Sequence, residues 1–178
     1  MSKKKTTKPA AKLAHLPVGP ILDSKDLREK EVVGALIAAA RMVEQPSEVN
    51  TNLTSMQAWL DKTYDTLDDA AKADNAANCI IQLEDILARS APPFTRFSGP
   101  DGERRSWGVW PDEQRAIEAE SNGTLVRTGS KVNMAEWKKQ GRQVPDWNLT
   151  IDTVGKITLY GKTKSGRGFK WTEIWSFQ

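Results

Sequence analysis

The chain has 178 residues and a mass of 19.8 kDa, which is enough for one domain with a hydrophobic core or for two small ones. Hydrophobic residues make up 38% and charged residues 28%, a composition typical of a soluble protein with part of its length unpacked. The longest uncharged apolar run, 32–40, is too short to cross a bilayer and no secretory signal precedes it, so we expect a cytoplasmic protein without membrane association.

The net charge of +3 hides an uneven distribution of charge along the chain. Residues 1–20 contain five lysines and no acidic residue, whereas residues 21–90 contain seven basic and thirteen acidic residues. Residues 91–178 contain fourteen basic and ten acidic residues. An acidic middle segment therefore separates two basic ends.

Residues 1–22 are predicted to form a disordered basic arm. No large apolar side chain occurs between Ser2 and Lys12, so burial cannot offset the entropy of ordering this segment. Pro17 and Pro20 then predict a hinge. Lysines in the arm can neutralise phosphates and release counterions, and a solubilising tail is the alternative.

Residues 23–92 are predicted to form an acidic bundle of three helices. Apolar residues recur at steps of three and four over 25–45, about 52–67 and about 74–90. The acidic residues on the opposite sides are interpreted as a solvated face rather than a metal site. Cys79 lies beside an apolar stripe, which favours a small core residue over a nucleophile.

Residues 93–178 are predicted to form a Trp-rich basic region of mixed structure. Turn signals and four aromatic residues predict a loop over 94–111 that its aromatic side chains hold against the rest of the fold. The elements predicted after it are a helix at 111–121, a strand at 124–128, a helix at 134–140 and three antiparallel strands between 147 and 177. The chain is therefore predicted to be α+β: a three-helix bundle, then a mainly antiparallel sheet with two short helices.

The last strand carries an alternation that predicts its buried face. One face is assigned the residues Phe169, Trp171, Glu173, Trp175 and Phe177. A buried carboxylate between two indoles needs a partner, and Arg127 is the residue we assign to Glu173. A role as a general acid or base is the functional alternative for Glu173.

Basic residues in the carboxyl-terminal hairpins are predicted to gather at one end and edge of the sheet, beside an exposed ring. Cations that follow the phosphates and rings that stack on bases hold single strands without reading their sequence. Lysines that prevent edge-to-edge aggregation are the alternative interpretation. Together with the arm, the predicted nucleic-acid-binding residues are Lys3, Lys4, Lys5, Lys8, Arg104, Arg105, Lys156, Tyr160, Lys162, Lys164, Arg167 and Lys170.

A protein-binding function is the second hypothesis, either as a virion component or as an inhibitor of a host factor. Aromatic residues are enriched at interface anchors, and the predicted ones are Phe94, Phe97, Trp107 and Trp110. A small-ligand enzyme using Glu173 in an aromatic pocket is the third hypothesis. Opposite charges in the two halves also favour a homo-oligomer.

Several chemistries are disfavoured by the residues the chain contains. With His15 and Cys79 as its single histidine and cysteine, the chain lacks ligands for common zinc or haem sites and the residues of a Ser-His-Asp system. Gly161-Lys162-Thr163 matches only the end of a phosphate-loop motif. We therefore expect no metal or cofactor and predict a non-enzymatic accessory protein that binds ssDNA or RNA, an organisation compatible with phages or other mobile elements.

Overall fold

The computed structural model describes residues 13–24, 26–99 and 106–178. Over these residues it contains five α-helices and two β-sheets, with 43% helix and 28% strand, which confirms the predicted α+β class. Two compact units are present: the segment ending at Leu16 joins Leu27–Ser90, and Pro17–Asp26 joins Ala91–Gln178. Among the described helices, none combines the length and the apolar character that a membrane span requires.

The first unit contains the three predicted helices, α1 (Glu29–Met42), α2 (Ser47–Lys62) and α3 (Asp69–Arg89). The third helix begins about five residues earlier than predicted. Its start is fixed by Asp68, whose carboxylate accepts a hydrogen bond from the backbone N–H of Ala71.

The core of the helical unit is aliphatic. Side chains with no exposed surface come from all three helices: Val33, Leu36, Ile37, Leu53, Leu83 and Leu87. The acidic residues Asp61, Asp68 and Asp69 are exposed, as the solvated-face interpretation predicts. Asp65 forms an ion pair with Lys30 at 2.7 Å, and this hydrogen bond lowers the pKa of the Asp65 carboxyl.

The prediction that the basic arm is disordered as far as residue 22 is wrong for its last part. Leu13 forms a parallel bridge with Val43, and β1 (Gly19–Asp23) pairs with a later strand. Pro20 is tolerated because β1 is an edge strand. The arm lysines Lys3, Lys4, Lys5 and Lys8 lie outside the described residues.

The predicted aromatic loop at 94–111 contains two strands of a three-stranded sheet. These are β2 (Thr95–Ser98) and β3 (Ser106–Pro111), and the sheet has the order β1-β3-β2 with antiparallel pairing. Between them lies the segment 100–105, which includes Arg104 and Arg105 and is outside the described residues. The glycine and proline signals used to predict a loop occur mainly in that connection.

The second sheet has the order β4-β5-β6-β7, with β4 parallel to β5 and the other pairs antiparallel. All of its elements were predicted near their observed positions. In chain order, the elements after β3 are α4 (Glu113–Ser121), β4 (Leu125–Thr128), α5 (Met134–Lys139), β5 (Trp147–Ile151), β6 (Ile157–Ser165) and β7 (Gly168–Phe177). We call the connection from β4 to β5, residues 129–146, the strap.

The two faces of this sheet have different coverings. One face, the core face, packs against α4. The buried side chains in this contact are Ala116 and Ala119 of α4 and Leu125, Leu149, Leu159 and Trp175 of the sheet. Phe94 also packs there, with its ring 5.6 Å from that of Trp147. The opposite face, the strap face, contacts the strap: Asn148 bonds Val132, and the Lys138 ammonium lies 5.9 Å from the Phe169 ring.

A β-bulge in β7 overturns the predicted alternation of the last strand. Leu159 pairs with Trp175 but Tyr160 pairs with Glu173, so Ile174 is an extra residue with no counterpart on β6. A Cβ atom placed on Gly161, a residue of the core face, would lie 3.2 Å from Ile174 Cδ1. Ile174 and Trp175 therefore both face the core.

The prediction that the five alternate residues of the last strand share one buried face is therefore wrong for the first half of β7. Phe169, Trp171 and Glu173 turn to the strap face, where Phe169 is 53% exposed and Glu173 is exposed. Arg127 is not the partner of Glu173. Its guanidinium instead forms ion pairs with Glu113 at 2.8 Å and with Glu120 at 3.0 Å. Burial by itself lowers the pKa of Arg127, but the two carboxylates outweigh burial, so the pKa is raised.

Candidate nucleic-acid interface

The strap face brings aromatic rings and lysines together on one surface. Strand alternation directs the side chains of Tyr160, Lys162 and Lys164 from β6 and of Phe169 and Trp171 from β7 to this face. The strap adds Lys131 and Lys138. We call the set of seven the lysine–aromatic surface: Lys131, Lys138, Tyr160, Lys162, Lys164, Phe169 and Trp171.

Two rings of this surface, Tyr160 and Phe169, have ammonium groups beside them. Lys131 Nζ lies 4.8 Å from the centroid of the Tyr160 ring. Lys162 Nζ and Lys138 Nζ lie 5.7 Å and 5.9 Å from the centroid of the Phe169 ring. These distances are within the range of a cation–π contact, so positive charge is concentrated where planar apolar surface is exposed.

The strap and the hairpin strands are mainly basic, whereas the helix that covers the core face is mainly acidic. Residues 129–173 carry nine basic and four acidic side chains, and Lys170 is the one among the basic residues of β6 and β7 that alternates to the core face. On the core face, α4 and its cap carry four acidic residues and one basic residue over 112–121, and two of the acids pair with Arg127. A polyanion is therefore attracted toward the strap side of the sheet.

The structure brings together only some of the residues predicted from the hairpins. Tyr160, Lys162 and Lys164 belong to the lysine–aromatic surface, and Arg167 lies at the adjoining turn between β6 and β7. Lys170 pairs with Thr163 and alternates toward the other face. Lys156 directly precedes the opposite end of β6, about 26 Å from Lys164 at roughly 3.3 Å per residue, so the predicted single cluster is wrong at this position.

Lys162 has a structural role within the surface. Its ammonium group lies 2.7 Å from the Asp146 carboxylate and donates a hydrogen bond of 3.0 Å to the carbonyl of Val144. Both contacts hold the end of the strap against β6. The Asp146 carboxylate also partly neutralises the charge of Lys162. The ammonium groups of Lys131, Lys138 and Lys164 have no ion pair among the described residues, so they are the cations available to a ligand.

Sequence reasoning missed Lys131, Lys138, Phe169 and Trp171 as parts of the site. A signal for the strap existed, since parallel strands cannot be joined by a tight turn and need a crossover that covers one face of the sheet. The pairing of β4 with β5 was not recognised, so the lysines of α5 were not assigned to a face. Phe169 and Trp171 were placed in the core because the bulge has no evident signature in the sequence.

The predicted protein anchors occupy packed positions in the second unit. Phe97 and Trp107 are each 8% exposed, and their rings stack with centroids 5.9 Å apart. Phe94 and Trp110 are half-buried, with their rings against Trp147 and Phe177, respectively. Phe97 and Trp107 therefore leave little surface for a partner to contact, whereas Phe94 and Trp110 keep part of their surface exposed.

Cys79 lies in the helical unit, where it lines a shallow groove of about 240 Å³ with Met56 and Trp59. The thiol is half-buried, and burial raises its pKa. A raised pKa reduces the thiolate fraction at neutral pH, and the thiolate is the reactive form. These surroundings favour a packing role over a nucleophilic one.

We expect Cys79 to be alkylated by iodoacetamide more slowly at pH 8 than an unstructured cysteine peptide, with the inflection of its pH–rate profile at higher pH. Denaturant should restore the peptide rate, because unfolding removes the burial. A matched control is Ile81→Cys in a Cys79→Ala background, since Ile81 is 59% exposed on the same helix. A native Cys79 that reacts as fast as this control would contradict the expectation.

Comparison with models of protein families, with curated proteins and with solved structures finds no match to this chain. What the lysine–aromatic surface binds must therefore be inferred from its own residues. The relevant properties are its exposed Phe169 ring, its half-buried Tyr160 and Trp171 rings, its lysines without an ion pair and the excess of basic residues along 129–173. No relative supplies a function for this chain.

Proposed function

We propose that this protein binds single-stranded nucleic acid, DNA or RNA, through the lysine–aromatic surface and without reading a particular sequence. The observation that supports this most directly is the placement of three lysine ammonium groups within 6 Å of the Tyr160 and Phe169 rings on one face of the sheet. In this proposal the protein is a non-enzymatic accessory protein. Its use by a phage or another mobile element and its self-association stay predictions.

The two kinds of side chain have complementary roles in the proposed interaction. Lysines neutralise phosphates and release the counterions condensed on the strand, which gives affinity that depends on salt and not on sequence. An aromatic ring stacks on a base through the π-face that every base has, so stacking also tolerates any sequence. Phe169, the most exposed ring of the surface, is the residue we assign to stacking.

A preference for single strands follows from the same geometry. In a duplex the bases are stacked on one another and present only their edges, so a ring on a sheet cannot reach a π-face without unstacking them. A single strand offers both its phosphates and its base faces. We therefore expect single-stranded ligands to bind more tightly than a duplex of equal length at the same salt concentration.

The test is fluorescence anisotropy with labelled ssDNA, ssRNA and dsDNA across a salt series. Lys138→Gln should weaken single-strand binding and reduce the slope of log K against log salt by about one, because one phosphate contact is lost. Lys156→Gln is the matched control, since it removes the same charge at the far end of β6. Equal effects of the two substitutions, or absence of binding by the unaltered protein at low salt, would refute the proposal.

The two alternative functions receive less support from the observed positions. A protein-binding role was assigned to Phe94, Phe97, Trp107 and Trp110, whose rings pack against other rings of the second unit. An enzymatic role was assigned to Glu173 in an enclosed aromatic pocket, and this carboxylate is instead exposed on β7. Neither observation favours a second function over strand binding.

A further inference from the structure

The strap is attached to its sheet by polar contacts together with three buried apolar residues, Val132, Val144 and Pro145. Its helix α5 has no buried residue. Near its beginning, the side chain of Val132 is only 7% exposed, and both backbone polar groups of Val132 are bonded to the sheet. The way in which Val132 is held therefore determines where the first part of the strap lies.

Two side chains on the strap face form hydrogen bonds with the backbone of Val132. Asn148 Oδ1 accepts a hydrogen bond of 2.8 Å from the backbone N–H of Val132. Trp171 Nε1 donates a hydrogen bond of 2.7 Å to the Val132 carbonyl. We call this pair of contacts the Val132 clamp.

The clamp is continued by a hydrogen-bond network around the buried Asn148 side chain. Asn148 is fully buried, and its Nδ2 donates to Thr128 Oγ1 at 2.8 Å and to the Val126 carbonyl at 3.2 Å. The Thr128 hydroxyl in turn donates to the carbonyl of Ser130 at 2.7 Å. The backbone is thus fixed on both sides of Lys131, which follows Ser130 and precedes Val132.

We infer that Asn148 and Trp171 are positioning residues that place Lys131 for phosphate binding beside the Tyr160 ring, an inference that rests on the proposed function. A lysine on a loosely held loop loses much conformational freedom when it binds, and this loss weakens affinity. Because the clamp already orders the backbone around Lys131 in the free protein, binding does not have to restrict that part of the chain. Because Asn148 is buried and both its side-chain oxygen and its side-chain nitrogen are hydrogen-bonded, it holds one geometry rather than several.

The test begins with Trp171→Phe, which keeps an aromatic ring at this position and removes the N–H group that bonds Val132. We expect it to weaken binding of a labelled oligo-dT strand by about 3- to 10-fold, the effect of partly freeing one ordered lysine, and to lower the salt slope toward that of Lys131→Ala. Trp175→Phe is the matched control, because it loses the same kind of bond, from Nε1 to the Pro93 carbonyl at 2.8 Å, on the core face. That control should leave the affinity and the salt slope unchanged.

A double-mutant cycle separates positioning from a general structural effect. If the clamp acts through Lys131, Trp171→Phe has no further effect on affinity once Lys131 is alanine. Effects that add in the double variant, or unchanged affinity of Trp171→Phe, would overturn the inference while leaving the proposed function intact. If Lys138→Gln, measured in the same titrations, does not weaken binding of the strand, the proposed function itself is contradicted.

Amide hydrogen exchange without any ligand provides a second measurement. Releasing the Val132 carbonyl should speed exchange of the backbone N–H of Val132, while amides in the centre of β6 keep their protection. Slow exchange at Val132 in Trp171→Phe would show that the clamp does not hold the strap and would overturn the inference. Exchange that is fast in β6 as well would mean the sheet itself has opened and would equally overturn a local role.

Discussion

Replacing Phe169 with alanine should weaken binding of single-stranded nucleic acid by roughly 5- to 150-fold, the equivalent of about 1–3 kcal/mol for one stacked base. Phe169 is 53% exposed at the start of β7, next to the hairpin turn, so its removal takes away the most exposed ring of the lysine–aromatic surface. Anisotropy titrations of labelled ssDNA and ssRNA at fixed salt measure the change. The salt slope should stay the same, because no charge is altered.

Three comparisons make the Phe169 result specific. Phe169→Trp keeps an aromatic face and should preserve binding. Val154→Ala removes an exposed apolar side chain, 71% exposed, near the other end of the sheet and should have no effect. Duplex DNA should respond less than single strands, because its bases are not free to stack. An affinity of Phe169→Ala within twofold of the unaltered protein would show that this ring does not contact bases.

The elements that could be predicted from the sequence are those specified by local patterns. Residues at steps of three and four gave the three helices of the first unit, and Asn133, whose side chain accepts bonds from Ala135 and Glu136, marked the start of α5. Alternation and turn residues gave β5, β6 and β7. Each of these signals lies within about twenty residues of chain, where sequence spacing and spatial proximity coincide.

The features that escaped prediction depend on partners distant in sequence. β1 is a strand because Gly19 lies opposite Val109, and nothing within 19–23 identifies that partner. The lysine–aromatic surface likewise depends on the parallel pairing of β4 with β5, which carries Lys131 to the Tyr160 ring. The grouping of Tyr160, Lys162 and Lys164 was anticipated from their hairpin, whereas the addition of the strap lysines and of Phe169 and Trp171 was not.

The bulge at Ile174 is the feature on which the candidate site most depends, because it places Ile174 and Trp175 together on the core face and leaves Glu173, Trp171 and Phe169 on the strap face. Deleting Ile174 would make Glu173 directly precede Trp175, so regular alternation would return over β7 with Glu173 still on the strap face. The deletion removes one half-buried side chain and one backbone residue, and we expect it to destabilise the fold by about 1–3 kcal/mol without turning the carboxylate inward.

Ile174→Ala is the control that distinguishes the extra backbone residue from its side chain. It keeps the bulge and loses part of a half-buried side chain, so we expect about 1–3 kcal/mol of destabilisation and a cooperative transition. The deletion variant should likewise unfold in one cooperative transition in urea, keep the near-UV circular dichroism of its packed tryptophans and still bind single strands, because Phe169 and Trp171 stay on the strap face. Loss of cooperative unfolding or of strand binding in the deletion variant, with Ile174→Ala unaffected, would show that the extra residue is needed to keep Glu173 out of the core.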